Sequence, residues 1–368
     1  MAWRWWVAAL VAMAPAACQA APVAPRPSAA LPAASAGSGT ASAATPPGSA
    51  VAAAPTPLAP LSTIVAHAGV TPNVSTVWVA ADLGFDREYG LAIDIHQTRA
   101  ASVSQAALLA GEIDYAWTGL PPFLSARAGG SDVVFIGATT NKTVAELVVR
   151  PPLTTPDDLR GKTFGVQSFG GPPHIRTIAA LLKLGIDPAR DGVSIITTGD
   201  EPTTTAALLE GAIDGAAISY TAAAEPKARG YHTWDIAQLG VPEITGIVTR
   251  TSQVREQPEV SRRLLRALAA SQRYIRSIGS DTEARRRVGE AVGSRLKTAP
   301  DLVLVQLDEI RDSLPADLRI KLDDAREQQA LTALVQPDVQ GLQVQDWLDQ
   351  SLLDQLQQEG FFARLDSR

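Results

Sequence analysis

The chain has 368 residues, enough for two domains of ordinary size, with a formal net charge of −6 and an isoelectric point near 5.3. This acidic balance lacks the basic footprint of a nucleic-acid-binding protein, so we expect no nucleic-acid partner. One Cys and four His cannot supply a disulfide framework or a Cys-rich metal site. We therefore expect neither a bound metal nor a cofactor.

Residues 1–18 are predicted to be a processing segment outside the fold. Arg4 is the only charge ahead of an apolar run over residues 5–14, and Cys18 follows two small residues. This order resembles a bacterial lipoprotein signal, in which cleavage before the Cys leaves that residue lipidated, although Pro15 replaces the usual Leu. Ordinary secretion with cleavage after Ala20 and a retained anchor helix are the alternatives. The apolar run is short for a membrane span, which favours a lipid-anchored protein of the periplasm or cell surface.

Residues 19–61 consist almost entirely of Ala, Pro, Ser, Thr and Gly, with Arg26 as the only charge. Such a composition cannot bury enough apolar surface to offset the conformational entropy lost on folding. We predict a disordered tether that holds a folded body away from a membrane.

The rest of the chain uses one stretch twice. Residues 106–116 read AALLAGEIDYA and residues 206–216 read AALLEGAIDGA, so eight of eleven positions match at a spacing of one hundred. In each copy a helix-forming run ends at a Gly, which suits the left-handed backbone conformation common at helix C-termini. An apolar strand follows. Weaker matches upstream extend the repeat. The pattern predicts an α/β fold of two similar lobes with a cleft between them.

Taken in chain order, the predicted strands of the first lobe cover residues 62–66, 91–97, 113–117, 133–138 and 144–149. A short loop separates the last two, which indicates either a hairpin or a strand that leaves for the other lobe. We place the first lobe at 62–150, the second at 151–245, and a return to the first lobe at 246–368. Segments 151–162 and 244–250 are the predicted crossings of a two-segment hinge. Periodic apolar residues after 256 predict helices that pack on the first lobe.

Five short motifs resemble those of a known family. They are DLGFDREYGL at 82–91, AGEIDYA at 110–116, GLPP at 119–122, DLRGK at 158–162 and ALLEGAID at 207–214. Together with the signal and tether, they resemble the type II solute-binding proteins of ABC importers. The branch they resemble most binds aliphatic sulfonates, taurine, nitrate or thiamine-pyrimidine precursors, and the resemblance covers about residues 62–361.

The resemblance implies a function. Members of that family close two lobes over a small solute and deliver it to a permease. The implied partners are therefore a small-molecule solute and ABC permease and ATPase subunits, with the binding protein itself a monomer. The Cys-rich motif of the pyrimidine-synthesising enzymes of the same fold is absent, since Cys18 is the only Cys. We predict a binding protein and not an enzyme; an enzyme acting on a small precursor and a ligand-sensing receptor domain are the alternatives.

The predicted ligand site lies where open α/β sheets bind solutes, beyond the carboxyl ends of strands and near helix N-termini. In the second lobe the loop from Ser168 to His174 occupies this position. Gly170 and Gly171 would let backbone N–H groups approach a solute, and the helix beginning near Ile175 would favour an anion. The alternative is that these glycines only make a turn. We predict a small organic solute with an anionic group such as sulfonate or carboxylate.

Further candidate ligand-binding residues lie in loops that face the predicted cleft: Thr71, Asn73, Trp117, Thr118, Gly119, Asn141, Phe169, Ser219, Tyr220 and Glu225. Several have an alternative role. Trp117 could be a packed aromatic residue, Thr71 and Asn73 could cap a helix, and Asn141 could make a turn. Glu225 could bind an amine or be a solvated acid.

Other charged residues are weaker candidates. Asp114 and Asp214 begin their strands, so they are expected to serve the turn and to lie at the wrong end for a ligand. His67 has no carboxylate or nucleophile at a recognisable spacing, and the G-x-S-x-G and H-E-x-x-H motifs are absent. Lys142 and Arg176 are the cations nearest the expected cleft, and we expect them to be solvated or salt-bridged.

Overall fold

The computed structural model describes residues 62–69, 72–98 and 101–367. The predicted signal with Cys18, the tether, and Thr71 lie outside these residues. Strands are interspersed with helices up to residue 249, and the chain is helical from residue 251 onward.

Within the described residues, ten strands form two five-stranded sheets. The first sheet contains β1 (Ser62–Gly69), β2 (Leu91–Thr98), β3 (Tyr115–Gly119), β4 (Val134–Thr140) and β10 (Thr245–Thr249). The second sheet contains β5 (Glu146–Val149), β6 (Thr163–Val166), β7 (Ser194–Thr197), β8 (Gly215–Ile218) and β9 (His232–Asp235).

Fifteen α-helices lie in the same described part of the chain. Seven lie between strands: α1 (Ser75–Asp82), α2 (Phe85–Glu88), α3 (Ala101–Ala110), α4 (Pro121–Ala128), α5 (Pro172–Lys183), α6 (Glu201–Leu209) and α7 (Tyr220–Ala228). Eight follow the last strand: α8 (Thr251–Glu256), α9 (Pro258–Ser277), α10 (Thr282–Leu296), α11 (Pro300–Ile310), α12 (Leu322–Ala333), α13 (Val344–Trp347), α14 (Ser351–Gln358) and α15 (Phe361–Asp366). None of these described helices has the length and apolar character needed to cross a bilayer.

Both sheets follow one plan. The strand order is β2-β1-β3-β10-β4 in the first and β7-β6-β8-β5-β9 in the second. The repeated stretch supplies the central strand of each sheet, β3 or β8, which is parallel to β1 or β6 on one side and antiparallel to β10 or β5 on the other. The chain crosses between the sheets at residues 141–145 and 236–244. The prediction of two similar α/β lobes joined by a two-segment hinge is confirmed.

The crossings lie a few residues from their predicted positions. The predicted first lobe includes the strand at 144–149, yet β5 pairs with β8 and β9 of the second sheet. This strand belongs to the other lobe, where it lies between β8 and β9 and all four of its residues are buried. Residues 151–162 therefore connect two strands of one lobe. The predicted return crossing, 244–250, consists mainly of β10, which already belongs to the first sheet.

The two copies of the repeat have the same local structure. Gly111 and Gly211 both follow their helices at a φ of +76°, a conformation that residues with a Cβ rarely adopt. The carboxylate of Asp114 accepts a hydrogen bond from a β1 backbone N–H at 2.9 Å, and that of Asp214 accepts one from β6 at 2.8 Å. Each Asp thus fixes the start of a central strand against its parallel neighbour.

The C-terminal helices pack on both sides of the first sheet. Helices α9, α10, α11, α14 and α15 share a hydrophobic core with α1, β1 and β3, which includes the fully buried Trp78 and Trp117. Helices α12 and α13 share a second core with α4 and β4, where the rings of Trp347 and Phe135 meet edge to face at 5.8 Å. The prediction that these helices pack on the first lobe is confirmed.

Helix α12 also contacts the second lobe. Leu331 packs against the core of that lobe. Glu327 forms an ion pair with Lys183 of α5 at 2.8 Å. This helix therefore spans the boundary between the lobes on one side.

Gly246 of β10 lies where the first sheet leaves no space for a side chain. A Cβ at this position would lie 2.5 Å from Cδ1 of Phe135 and 3.2 Å from the carbonyl oxygen of Gly137. We expect Gly246→Ala to destabilise the fold by about 1–3 kcal/mol, because a packed ring and a sheet backbone must both shift. Urea unfolding followed by circular dichroism measures the change.

The matched control is Gly341→Ala, whose Cβ would have no atom within 4 Å. We expect it to change the free energy of unfolding by less than about 0.5 kcal/mol. Equal losses in the two variants would contradict the packing described for β10.

Candidate ligand-binding cleft

The loops at the strand ends of the two lobes are in direct contact. Gly119, at the end of β3, faces Pro172 at the start of α5: a Cβ on the glycine would lie 3.1 Å from Cγ of the proline. Gln336, which follows α12, accepts a hydrogen bond from the Ser125 hydroxyl at 2.6 Å. Its amide nitrogen donates to the carbonyl oxygen of Gly170 at 3.0 Å. The structure therefore brings the predicted loops 117–122 and 167–173 together.

The space left between these loops is small. A cavity of about 10 Å³ lies between them, the room of a single water molecule. Residues from both lobes and from the second crossing line it: Gly119, Pro121, Pro172, Ile175, Arg176, Val241, Pro242, Glu243, Ile244 and Gln328. An organic solute can enter here only when the lobes move apart.

Arg176 and Glu243 form an ion pair in the wall of this cavity. One terminal nitrogen of Arg176 lies 3.4 Å from each carboxylate oxygen of Glu243, and the other donates to the Ala217 carbonyl at 3.3 Å. Both side chains are largely buried, at 13% and 15% exposed. The Nε of Arg176 and the Oε1 of Gln328 are buried without a hydrogen-bond partner. The expectation that Arg176 is salt-bridged matches this geometry, but the contacts are long.

The helix starts beside the cavity offer few backbone donors. Helix α5 begins with Pro172 and Pro173, and α4 begins with two prolines in the same way. Because proline has no N–H, each helix lacks two of the four donors that a helix start normally leaves free. The next N–H in α5, that of His174, donates to the Gly171 carbonyl at 3.1 Å. The predicted attraction of an anion to this helix start is therefore weak.

The predicted loop of the second lobe is internally hydrogen-bonded. The N–H of Gly170, which has a φ of +75°, donates to Nδ1 of His174 at 3.0 Å. Burial lowers the pKa of His174, so its ring is neutral at pH 7 and can accept this bond. The ring of Phe169 is 60% exposed and meets His174 edge to face at 5.1 Å. Ser168 is exposed at the edge of the loop.

A second polar cluster lies at the strand ends of the second lobe, beside the crossings. The Tyr220 hydroxyl donates to Asp235 at 3.0 Å, and Lys227 pairs with Oε1 of Glu146 at 2.8 Å. The other carboxylate oxygen of Glu146 is buried without a partner. Burial and the neighbouring Asp235 carboxylate raise the pKa of Tyr220, so its hydroxyl keeps its proton and acts as a donor.

This cluster also connects the lobes. The Thr221 hydroxyl of α7 donates to Oε2 of Glu309 on α11 at 3.3 Å. Burial raises the pKa of Glu309, and the nearby Glu146 carboxylate raises it further. The contact between the lobes therefore places two carboxylates, those of Glu146 and Glu309, near one another.

Three predicted ligand-binding residues have structural roles instead. Trp117 is 1% exposed and lies in the core of the first lobe, because its ring points into the layer between the sheet and the C-terminal helices. The N–H and hydroxyl of Ser219 both donate to the Glu201 carboxylate, at 2.8 and 3.0 Å, and its Oγ caps α7. Glu225 is exposed and pairs with Arg229 one helical turn away.

The remaining predicted residues of the first lobe stay close to the ends of its strands. Thr118 is half-buried beside Gly119 in β3. The carbonyl of Asn73 accepts a hydrogen bond from Thr139 at 3.3 Å, and the N–H of Asn141 donates to the Ser313 carbonyl at 2.9 Å. Both Asn side chains are half-buried.

Sequence reasoning missed several polar and charged residues at the contact between the lobes. Glu146, Glu243, Glu309 and Gln328 come from separate parts of the chain and belong to no motif. A weak signal existed only for Glu146, an acid within an otherwise apolar strand, whereas Glu309 and Gln328 lie in helices that contain other polar residues. Among the residues that the structure describes, no group of three His, Cys, Asp or Glu could hold a metal ion.

Comparison with known proteins agrees with this architecture. A family model described as NMT1/THI5 like matches residues 71–277, more than half of the 368-residue chain. No curated protein matches the chain. The match confirms the resemblance predicted from the five motifs.

Solved structures share the fold at low sequence identity. The ligand-binding component of an ABC-type import system from Staphylococcus aureus is 14% identical, with a TM-score of 0.63, over 80% of this chain and 98% of that chain. The periplasmic aliphatic sulphonate-binding protein SsuA of Escherichia coli is 17% identical, with a TM-score of 0.59, over 75% and 87%. The periplasmic nitrate-binding protein NrtA of Synechocystis PCC 6803 is 13% identical, with a TM-score of 0.60, over 81% and 89%. The chain thus has the fold of periplasmic solute-binding proteins.

The burial of Glu309 near the Glu146 carboxylate predicts a pH-dependent stability. Because the pKa of Glu309 is raised in the folded protein, the native state holds this proton more tightly than the unfolded chain does. Ionisation therefore costs stability as the pH rises above the group's ordinary value of 4.5. We expect Glu309→Gln to melt at the same temperature as the wild type at pH 4 and at a higher temperature at pH 7. Thermal unfolding from pH 4 to pH 8 tests this.

Glu225→Gln is the control, because it removes an acid from an exposed pair of the second lobe. We expect it to change stability by less than about 0.5 kcal/mol across this pH range. A pH-independent difference between Glu309→Gln and the wild type would show that burial does not hold the proton on Glu309.

Proposed function

We propose that this protein, which belongs to the NMT1/THI5-like family, is the extracytoplasmic solute-binding component of an ABC importer. It captures a small organic solute with an anionic group in the cleft between its lobes and delivers it to a permease. The observation that carries this proposal is the contact between the strand-end loops of two lobes built on one plan, around a water-sized cavity.

The capture step follows from the architecture. The lobes separate at the two crossings, 141–145 and 236–244, while each sheet stays intact. A solute that enters the opened cleft replaces the direct contact of Gly119 with Pro172 by contacts of its own. The solute shifts the population from the open form towards the solute-filled closed form. The size of this shift is limited by the difference between its affinities for the closed and the open form.

Transport and the anionic group are supported by the structural neighbours. One is the ligand-binding component of an ABC-type import system, and two bind oxyanions, an aliphatic sulphonate and nitrate. A solute-binding protein of this kind works with separate permease and ATPase subunits. The periplasmic neighbours also support a location outside the cytoplasm.

Ligand binding is tested by thermal unfolding with ethanesulfonate, acetate, benzoate, nitrate, cytosine and ethylamine. We expect at least one organic oxyanion to stabilise the protein, by about 2.7 kcal/mol at a concentration one hundred times its Kd. Gly119→Val is the binding-deficient control, because a side chain there would meet Pro172 and hold the lobes apart.

Two outcomes would contradict the proposal. No stabilisation by any of the six compounds would remove the support for solute capture. Chemical conversion of a stabilising compound by the purified protein, followed by NMR, would instead favour an enzyme on this scaffold.

We also propose that the protein is anchored through a lipid on Cys18. The support is the sequence alone: a short apolar run, small residues before the Cys, and a tether without apolar periodicity over residues 19–61. We expect Cys18→Ser to move the protein from the membrane fraction to the soluble extracytoplasmic fraction, with unchanged stability of the folded body. Fractionation followed by immunoblotting measures this. Soluble wild-type protein would contradict the anchor and favour cleavage after Ala20.

A further inference from the structure

We infer that Arg176 binds the anionic group of the solute, and that Glu243 pairs with the guanidinium group of Arg176 when no solute is bound. The solute class is an organic oxyanion, either a carboxylate or a sulfonate. This inference rests on the proposed function and identifies the residues that recognise the charge.

The contacts of Arg176 leave hydrogen-bonding capacity unused. Charge-assisted hydrogen bonds between a guanidinium and an oxyanion are typically about 2.7–2.9 Å long, whereas both contacts to Glu243 measure 3.4 Å. The bond to the Ala217 carbonyl is 3.3 Å, and Nε has no partner although it is buried. A guanidinium carries five donors in a planar fork that fits carboxylate and sulfonate oxygens. The side chain is therefore in place for an oxyanion that the folded chain does not itself supply.

The energetics favour exchange of partners. A largely buried ion pair repays the cost of removing both charges from water only when its geometry is good. The pair between Arg176 and Glu243 has long contacts and an unsatisfied donor, so it stabilises the fold little. An oxyanion bound at normal distance, with a bond to Nε, would satisfy the guanidinium better.

The position of the pair connects it to the lobe movement. Arg176 lies in α5 of the second lobe, Glu243 lies in the second crossing, and the cavity that they line is closed on the other side by Gly119. Separation of the lobes opens this cavity and changes the crossing that carries the carboxylate. The same motion therefore admits a solute and weakens the contact between Glu243 and Arg176, with which the solute competes.

A second donor lies across the cavity. Gln328 of α12 is 4% exposed, and the Oε1 of its amide is buried without a hydrogen-bond partner. The two ends of an amide exchange by a 180° rotation, so this side chain can present its NH₂ group to an oxyanion held by Arg176. The two residues come from different lobes, so an anion between them favours closure.

Other sources of positive charge at the cleft are weaker. The starts of α4 and α5 each carry two prolines and lack those N–H donors. Lys142 is exposed in the first crossing and does not line the cavity. Among the described residues that line this cavity, Arg176 is the one cation.

The test compares charge-matched variants by isothermal titration calorimetry with ethanesulfonate and with acetate. We expect Arg176→Gln to weaken binding at least about 30-fold, because it removes one partner of a buried charged contact. Glu243→Gln removes the competitor and should tighten binding about fivefold or more. Lys142→Gln, the control for loss of one positive charge near the cleft, should bind as the wild type does. The relative affinities for ethanesulfonate and acetate distinguish the two oxyanions.

Folding of the variants is controlled separately. Arg176→Gln leaves Glu243 buried without a partner and is expected to lower the melting temperature. The double variant Arg176→Gln/Glu243→Gln removes both charges, should restore most of that stability, and should still not bind. A merely structural role for the pair would let this double variant bind as the wild type does.

The remaining outcomes separate this inference from the proposed function. Equal binding of ethanesulfonate or acetate by Arg176→Gln and wild type would overturn the role of Arg176 and leave solute capture standing. If ethanesulfonate, acetate and benzoate all fail to bind to wild type and to Glu243→Gln, the inference is also overturned. The proposed solute capture fails as well only if nitrate, cytosine and ethylamine also give no stabilisation.

Discussion

The structure depends on where the two crossings end. The first crossing ends in β5, between β8 and β9, and the second ends in β10, between β3 and β4. All residues of both strands are buried, and each strand is hydrogen-bonded on both sides. These two strands cannot move without breaking backbone hydrogen bonds. In the proposed opening, the lobes therefore move relative to one another at residues 141–145 and 236–244.

This arrangement bears on some of the buried polar atoms that have no hydrogen-bond partner. Buried donors and acceptors without partners cost free energy, so folded proteins keep few of them. Several lie near the contact between the lobes or its crossings: Nε of Arg176, Oε1 of Gln328 and Oε2 of Glu146. The indole Nε1 atoms of Trp78 and Trp117 lack a partner within the core of the first lobe as well. At a contact that opens, water or a solute can satisfy such groups in the open form.

The charges at the contact between the lobes differ between its two regions. The cavity beside α5 combines Arg176 with Glu243, while the region beside α7 and α11 combines Glu146 and Glu309 with Lys227. The first region can exchange an internal carboxylate for that of a solute. In the second, burial and the nearby Glu146 carboxylate raise the pKa of Glu309. The two regions therefore place opposite charges together on one side of the contact and two carboxylates near one another on the other side.

The sequence by itself determined the repeated α/β plan and the loops that meet. The helix ends before β3 and β8 require a positive φ at Gly111 and Gly211, which favours Gly there, and Asp114 and Asp214 repeat because each fixes the same strand start. These are local constraints, so they leave a local pattern that can be read directly. The loops from 117 and 167 follow from the same pattern, because parallel strands end at one edge of a sheet.

Only the tertiary structure decided which sheet each strand joins and which side chains meet. An apolar strand such as β5 fits a hairpin or the other lobe equally well until its neighbour β8 is known. Trp117 at a strand end suits a ligand wall or a core, and the C-terminal helices that cover it place it in the core. Arg176, Glu243 and Gln328 are far apart in the chain and belong to no motif, so only the meeting of the lobes brings them to one cavity.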